Sequence, residues 1–193
     1  PLSTPGLARR AEIFLSYAWG RRVAAPSRRV EDDDGSREVF ETQQLVAVLK
    51  TQLEHSTRLT CWMDRERMGG GDETADEMVL GIERADVFVC CLTDPYFASA
   101  ACMHEFAAAV NARKLIIPLL LPGYTHGKHP LPSRSADVPG PSDAPAWPPS
   151  SSKEPLVAAK LRRATMYVDM RSEASRAQTF HRIVNRIDAE VRK

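Results

Sequence analysis

The sequence lacks any apolar run approaching the ~18 residues that cross a bilayer as a helix, and no signal peptide opens it. It lacks a charge bias. Its 26 basic side chains are met by 25 acidic ones, for a formal net charge of +1. That balance supplies no long-range field for nucleic acid or anionic lipid. Cysteine is scarce. Cys61, Cys90, Cys91 and Cys102 form no Cys-x-x-Cys pair, and the histidines have no zinc-ligand spacing. Neither a metal site nor a dithiol redox centre is expected from them. They read as small buried hydrophobes in a reducing compartment. Adjacent on one strand, Cys90 and Cys91 should point to opposite faces. Phosphate-binding glycine patterns are missing as well: neither Gly-x-x-x-x-Gly-Lys-Ser/Thr nor Gly-x-Gly-x-x-Gly occurs. There is no nucleophile elbow. A phosphoacceptor receiver would want paired acids after its first strand, where this chain has Ser16-Tyr17.

What is present is an alternation of buried strands and amphipathic helices. The 193 residues are 43% hydrophobic, enough for the core of one α/β domain. Residues 1–11, with Pro1, Pro5 and Gly6, read as a linker, and the missing initial Met reads as the start of a fragment. Ile13-Phe14-Leu15-Ser16-Tyr17 reads as the first strand and Leu59 to Met63 as the second. Val87 to Leu92, Leu115 to Leu121 and Met166 to Asp169 follow as further strands. A helix is expected over about Arg37 to Gln52, on the spacing of Val39, Val46, Leu49 and Leu53. A second follows Thr74-Ala75-Asp76-Glu77, which has the form of a capping box. Its apolar stripe is Ala75, Met78, Val79, Ile82 and Ala85. A last helix covers about Ser175 to Val191, with Phe180, Ile183, Val184 and Ile187 on one face. Strands apolar on both faces, alternating with helices, imply a parallel sheet in a three-layer α/β domain. Pro118 inside the fourth strand needs a bulge or a neighbour that does not use its N–H. Pro122 to Pro155 holds 9 of the 14 prolines and no apolar periodicity, as an insertion loop would.

In an open parallel sheet, ligands bind beyond the carboxyl ends of the strands, where the strand order reverses. For the order 2-1-3-4-5 that crevice lies between the first and third strands. It would be edged by Ser16-Tyr17-Ala18-Trp19 and by Thr93-Asp94-Pro95-Tyr96, with Asp64 through Gly71 flanking it. Glu105 lies on the helix that follows the third strand. Its helical neighbours Ala101, Cys102, Ala108 and Ala109 include no base, so no salt bridge along the helix can satisfy it. It is the charge best placed to act on a ligand. Gly69-Gly70-Gly71 forms a turn beside the same crevice that could close over a ligand.

Several motifs in this order resemble the Toll/interleukin-1 receptor (TIR) domain. Ile13-Phe14-Leu15-Ser16-Tyr17 resembles the family's first box, and Trp62 through Gly71 its second strand and BB loop. Thr93 through Glu105 resembles "S-P-x-Y-x-x-S-x-W-C-x-x-E", and Ile116-Ile117-Pro118-Leu119 resembles the fourth strand. The likeness covers about residues 12 to 121 and resumes near Met166. It implies one TIR domain over residues 12–193. The implied fold is three-layer and flavodoxin-like, a five-stranded parallel sheet of order 2-1-3-4-5 with helices on both faces.

The resemblance implies two possible activities. Some TIR domains cleave NAD at the nicotinamide–ribose bond. Others are silent adaptors that only assemble with further TIR domains. In the cleaving members a glutamate matches Glu105, which makes Glu105 the implied catalytic residue. The implied substrate-binding set is Ser16, Tyr17, Ala18, Trp19, Arg21, Asp64, Met68, Gly69, Gly70, Gly71, Tyr96 and Ala101. NAD would be substrate, with no cofactor and no metal. The implied partners are further TIR domains, self-association running through the BB loop, Arg65 to Asp72; composition adds no membrane segment and no strong nucleic-acid signal. A cytoplasmic place in immune or cell-death signalling is implied likewise. Two positions depart from the family pattern: Ala101 stands where many cleaving members have tryptophan, and Ala18 where some have arginine.

Overall fold

The computed structural model describes residues 12–23, 39–63, 74–124, 157, 159–161 and 167–192. The strands are β1 (Glu12–Tyr17), β2 (Arg22–Val23), β3 (Val39–Phe40), β4 (Thr60–Trp62), β5 (Val87–Leu92), β6 (Leu115–Leu120) and β7 (Val168–Asp169). The helices are α1 (Glu41–Thr57), α2 (Thr74–Arg84), α3 (Asp94–Ala98), α4 (Ala100–Asn111) and α5 (Glu173–Val191). The linker expected at 1–11, the BB loop expected at 65–72 and, of the insertion expected at 122–155, all but residues 122–124 lie outside the described residues. No helix among the described residues is long and apolar enough to cross a membrane.

Five strands form one sheet in the order β4-β1-β5-β6-β7, every pair parallel. Numbered among themselves, these strands run 2-1-3-4-5, as expected. Alternation along each strand then builds two cores. Ile13, Leu15 and Tyr17 of β1 join Val87, Val89 and Cys91 of β5 beneath α1 and α5. Phe14 and Ala18 join Phe88, Cys90 and Leu92 beneath α2, α3 and α4. Cys90 and Cys91 thus part to opposite faces, and all four cysteines are buried thiols. Phe14 anchors the second core, with its ring 4.4 Å from that of Trp62 and 5.5 Å from that of Phe88.

Two sequence expectations shift. The first long helix begins at Glu41 rather than near Arg37 and runs on to Thr57, because Val39–Phe40 pair with Arg22–Val23 as a short antiparallel ribbon. It ends at Arg58 in the left-handed conformation, φ 61°, whose N–H bonds back to the Glu54 carbonyl. On α2, Val79 is 48% exposed while Gly81, Ile82 and Ala85 are buried. The inward stripe therefore runs through Met78, Gly81, Ile82 and Ala85, about 100° of rotation away from Val79. The capping box expected at Thr74-Ala75-Asp76-Glu77 adjoins residues 64–73, which lie outside the described residues.

Pro118 has a simple explanation. The Leu121 N–H donates to Leu92, and the Leu120 carbonyl accepts from Met170. Residues 117, 119 and 121 therefore turn their polar groups to β5, and 118 and 120 turn theirs toward β7. The ladder with β7 begins only at Leu119. The missing N–H falls where no strand asks for it.

Candidate functional site at the carboxyl end of β1 and β5

β1 and β5 are neighbours, but the chain leaves them for opposite faces, β1 toward α1 and β5 toward α3 and α4. Their carboxyl ends bound a crevice of the kind that open α/β sheets use for ligands. Ser16 sits there in register with Cys90. Alternation turns it to the same face as Phe14 and Ala18, which is the face of α4.

Two helices bring the partners of Ser16. α3 starts directly after β5 with a proline in its first turn, a position that needs no N–H. It buries Tyr96 completely. The Ser99 N–H donates to the carbonyls of Pro95 and Tyr96 at 3.1 and 3.3 Å. The Ser99 side chain then accepts from the Cys102 N–H, the side-chain cap of a new helix. α4 turns Cys102, Met103, Phe106 and Ala109 inward. Phe106 meets Phe88 edge to face at 6.0 Å. Glu105 stands at the margin of this stripe, half-buried, and accepts a hydrogen bond from Ser16 Oγ at 2.5 Å. Tyr96 Oη lies 2.8 Å from the same Ser16 Oγ. Burial above all, with Cys90, Cys102 and the Glu105 carboxylate, pushes the Tyr96 phenol well above its ordinary pKa. Thr93 Oγ1, at the carboxyl end of β5, is buried without a hydrogen-bond partner among the described residues.

The other candidates fall around this point. Tyr17 is on the opposite face, because neighbours on a strand alternate. There its hydroxyl accepts from Gln43 Nε2 at 3.4 Å within the α1 core. Ala18 is at the edge of burial. Trp19 is 46% exposed, with its ring 5.1 Å from that of Phe40. Arg21 reaches Glu41 at 3.6 Å, and both side chains are mostly in solvent. Ala101 is exposed one turn before Glu105, and His104 is exposed beside it. Asp64, Met68, Gly69, Gly70 and Gly71 lie outside the described residues, as does all of 65–72. A cavity of about 750 Å³ lies between α1 and α5, lined by Leu45, Val48, Leu49, Leu121, Met170 and Phe180 among others. None of the candidate residues lines it, and it is on the far face of the sheet from Glu105.

The Ser16 bridge joins residues far apart in sequence. A signal existed: Ser16 is a polar residue in the apolar run Ile13-Phe14-Leu15-Ser16-Tyr17, and a hydroxyl buried there must find a partner.

The profile of the TIR domain family matches residues 38–142. The chain belongs to the TIR domain family. A curated relative from Brachypodium distachyon, named "Probable 2' cyclic ADP-D-ribose synthase BdTIR", is 29% identical over 141 residues. The match covers 61% of this chain and 63% of the relative, so this TIR domain spans less than two thirds of that protein. Among solved structures, the TIR domain of the Toll-related receptor TRR-2 from Hydra magnipapillata is similar, with a TM-score of 0.49 and 14% identity. That similarity covers 90% of this chain and 94% of the Hydra chain.

Proposed function

We propose that this TIR domain is an NAD glycohydrolase that breaks the nicotinamide–ribose bond with Glu105 as the catalytic carboxylate. One observation carries the reading: the Glu105 carboxylate is held at the carboxyl end of β1, at the switch point of the sheet, by a short bond from Ser16. The name of the Brachypodium relative, a probable cyclic ADP-ribose synthase, supports the same chemistry.

The chemistry needs one carboxylate and no general acid. Nicotinamide departs from a cationic ring as a neutral molecule, taking the bonding pair, so no general acid is required. The ribose carbon left behind gains oxocarbenium character, as in glycoside hydrolysis. A fixed carboxylate near the ribose hydroxyls stabilises that charge. Water then adds at the same carbon and loses a proton, giving ADP-ribose. Attack by a hydroxyl of the same molecule gives a cyclic form instead. Trp19, exposed and backed by Phe40, is a surface on which a base could stack. Self-association would bring the loop 65–72 of a second copy to this crevice, so the rate per protomer should rise with clustering.

Incubation of the purified protein with NAD should release nicotinamide. Glu105→Gln should lower turnover by roughly 10²–10³, the usual cost of one transition-state electrostatic contact, without changing the melting temperature by more than a few degrees. Parent-level turnover by Glu105→Gln would sink the assignment. A second reading, a silent TIR–TIR interaction module, is favoured by the exposed alanine at 101, which offers no ring beside Glu105. No nicotinamide from the clustered parent protein would select it.

A further inference from the structure

We propose that Tyr96 and Ser16 form a one-way hydrogen-bond relay that orients the Glu105 carboxylate and favours its charged form, both acting through Glu105 rather than on a ligand. The kinetic part of this proposal rests on the reading of Glu105 as catalytic, whereas the relay itself does not.

Neither hydroxyl is offered to a ligand. Ser16 is 1% exposed and Tyr96 is 0% exposed. The direction of the relay follows from proton count. A serine hydroxyl has one proton to give. Ser16 gives it to Glu105 Oε2 at 2.5 Å, within the short range typical of a hydroxyl bound to a charged oxygen. The contact between Ser16 and Tyr96 at 2.8 Å must therefore carry the tyrosine proton toward Ser16. A phenol buried among Cys90, Cys102 and Glu105 resists ionisation, so Tyr96 stays a donor throughout the neutral range. These are also the titratable groups that bear on it, Cys90 from β5 and Cys102 and Glu105 from α4. A hydroxyl that receives a hydrogen bond becomes a better donor. Tyr96 thus strengthens the bond from Ser16 to the carboxylate. The three residues come from α3, β1 and α4, so the relay also pins the α4 carboxylate to the sheet rather than leaving it to its own rotamers.

The test uses Ser16→Ala, Tyr96→Phe and the double variant, with Glu105→Gln to assign the signal. The Glu105 carboxyl is followed by NMR across pH in protein labelled at glutamate carboxyl carbons. Ser16→Ala should make Glu105 titrate at higher pH, because a donor to the charged form is gone. Tyr96→Phe should move it the same way by less. The double variant should match Ser16→Ala alone, since the tyrosine acts only through the serine. For NAD cleavage, kcat should fall roughly 10–100-fold in Ser16→Ala, the range for a hydrogen bond to a charged group. KM should stay within about twofold, because a relay does not touch substrate. Unchanged titration of Glu105 in Ser16→Ala overturns the relay, as does a tyrosine effect that survives in the double variant. If Ser16→Ala fails to fold, Tyr96→Phe keeps its ring in the core and its titration decides the matter. If the parent releases no nicotinamide, the glycohydrolase reading fails and the titration still judges the relay.

Discussion

Replacing Gly20 with alanine probes the turn that carries the chain from β1 toward α1. Gly20 has φ +80°, and an added Cβ would stand 2.4 Å from Thr42 Oγ1, 3.2 Å from Thr42 Cβ and 3.3 Å from Thr42 N. Left-handed backbone costs a non-glycine residue about 1–2 kcal/mol. Reduced freedom of the unfolded chain offsets about 0.4–1 kcal/mol of that. The offset is partial and leaves about 1 kcal/mol or less, so the contact with Thr42 decides the rest. Thr42 is buried near the start of α1 and stiff at its branched Cβ. It cannot swing its hydroxyl away without a new rotamer or a shift of the helix start, an overpacking cost of about 1–3 kcal/mol. The net expectation for Gly20→Ala is a loss of about 1–4 kcal/mol. Gly123 is the internal control, because its φ is +90° but an added Cβ meets nothing within 4 Å. Gly123→Ala should cost about 1 kcal/mol or less from the backbone alone. Urea unfolding of both variants measures the difference as separated midpoints at a common slope. Identical midpoints for the two would refute the argument that Thr42 decides. The Arg21 carbonyl accepts the Glu41 N–H at 3.0 Å just beyond the turn, so Gly20→Ala should also disturb Trp19 and be visible in its fluorescence.

Phe106→Ala should cost about 3–5 kcal/mol, the range for emptying a fully buried aromatic site, since Phe106 is 0% exposed and packs edge-on to Phe88. A thermal melt within a degree of the parent would contradict that packing. Asp169 titrates below the ordinary carboxylate range: partial burial opposes its charge, but the Arg171 side chain and backbone outweigh that with bonds of 2.9–3.1 Å. With its folded pKa depressed, it contributes stability above its unfolded value of about 3.9 and loses that contribution as pH falls through the folded value. Urea midpoints taken between neutral and strongly acidic pH should therefore fall more steeply for the parent than for Asp169→Asn. Parallel curves would remove Asp169 from the acid limb.

The sheet was legible because its strands are apolar on both faces, a pattern that only a covered parallel sheet satisfies. Val87 to Leu92 was read to the residue, and β6 to within one. Boundaries failed where tertiary pairing competes with helical spacing. Val39 fits the stripe of α1 in sequence but is held by β2. Val79 fits a loose apolar stripe, yet the glycine at 81 lets α2 approach so closely that an added Cβ would lie 3.1 Å from the Trp62 ring. That approach fixes which face turns inward. At the site, the position of Glu105 followed from topology and motif spacing, whereas its hydrogen bond to Ser16 joins residues 89 apart in sequence. No local rule reaches that far. Adjacency in sequence puts Tyr17 beside Ser16, and the pleat separates them.

Among the described residues, the rims of the sheet are short. β4 contributes three residues to one side and β7 two to the other. Such stubs give a foreign strand little backbone on which to template, which guards against edge-to-edge aggregation. A ladder that ran from one copy of this TIR domain into the next would have to start from these stubs, which disfavours growth into a fibril.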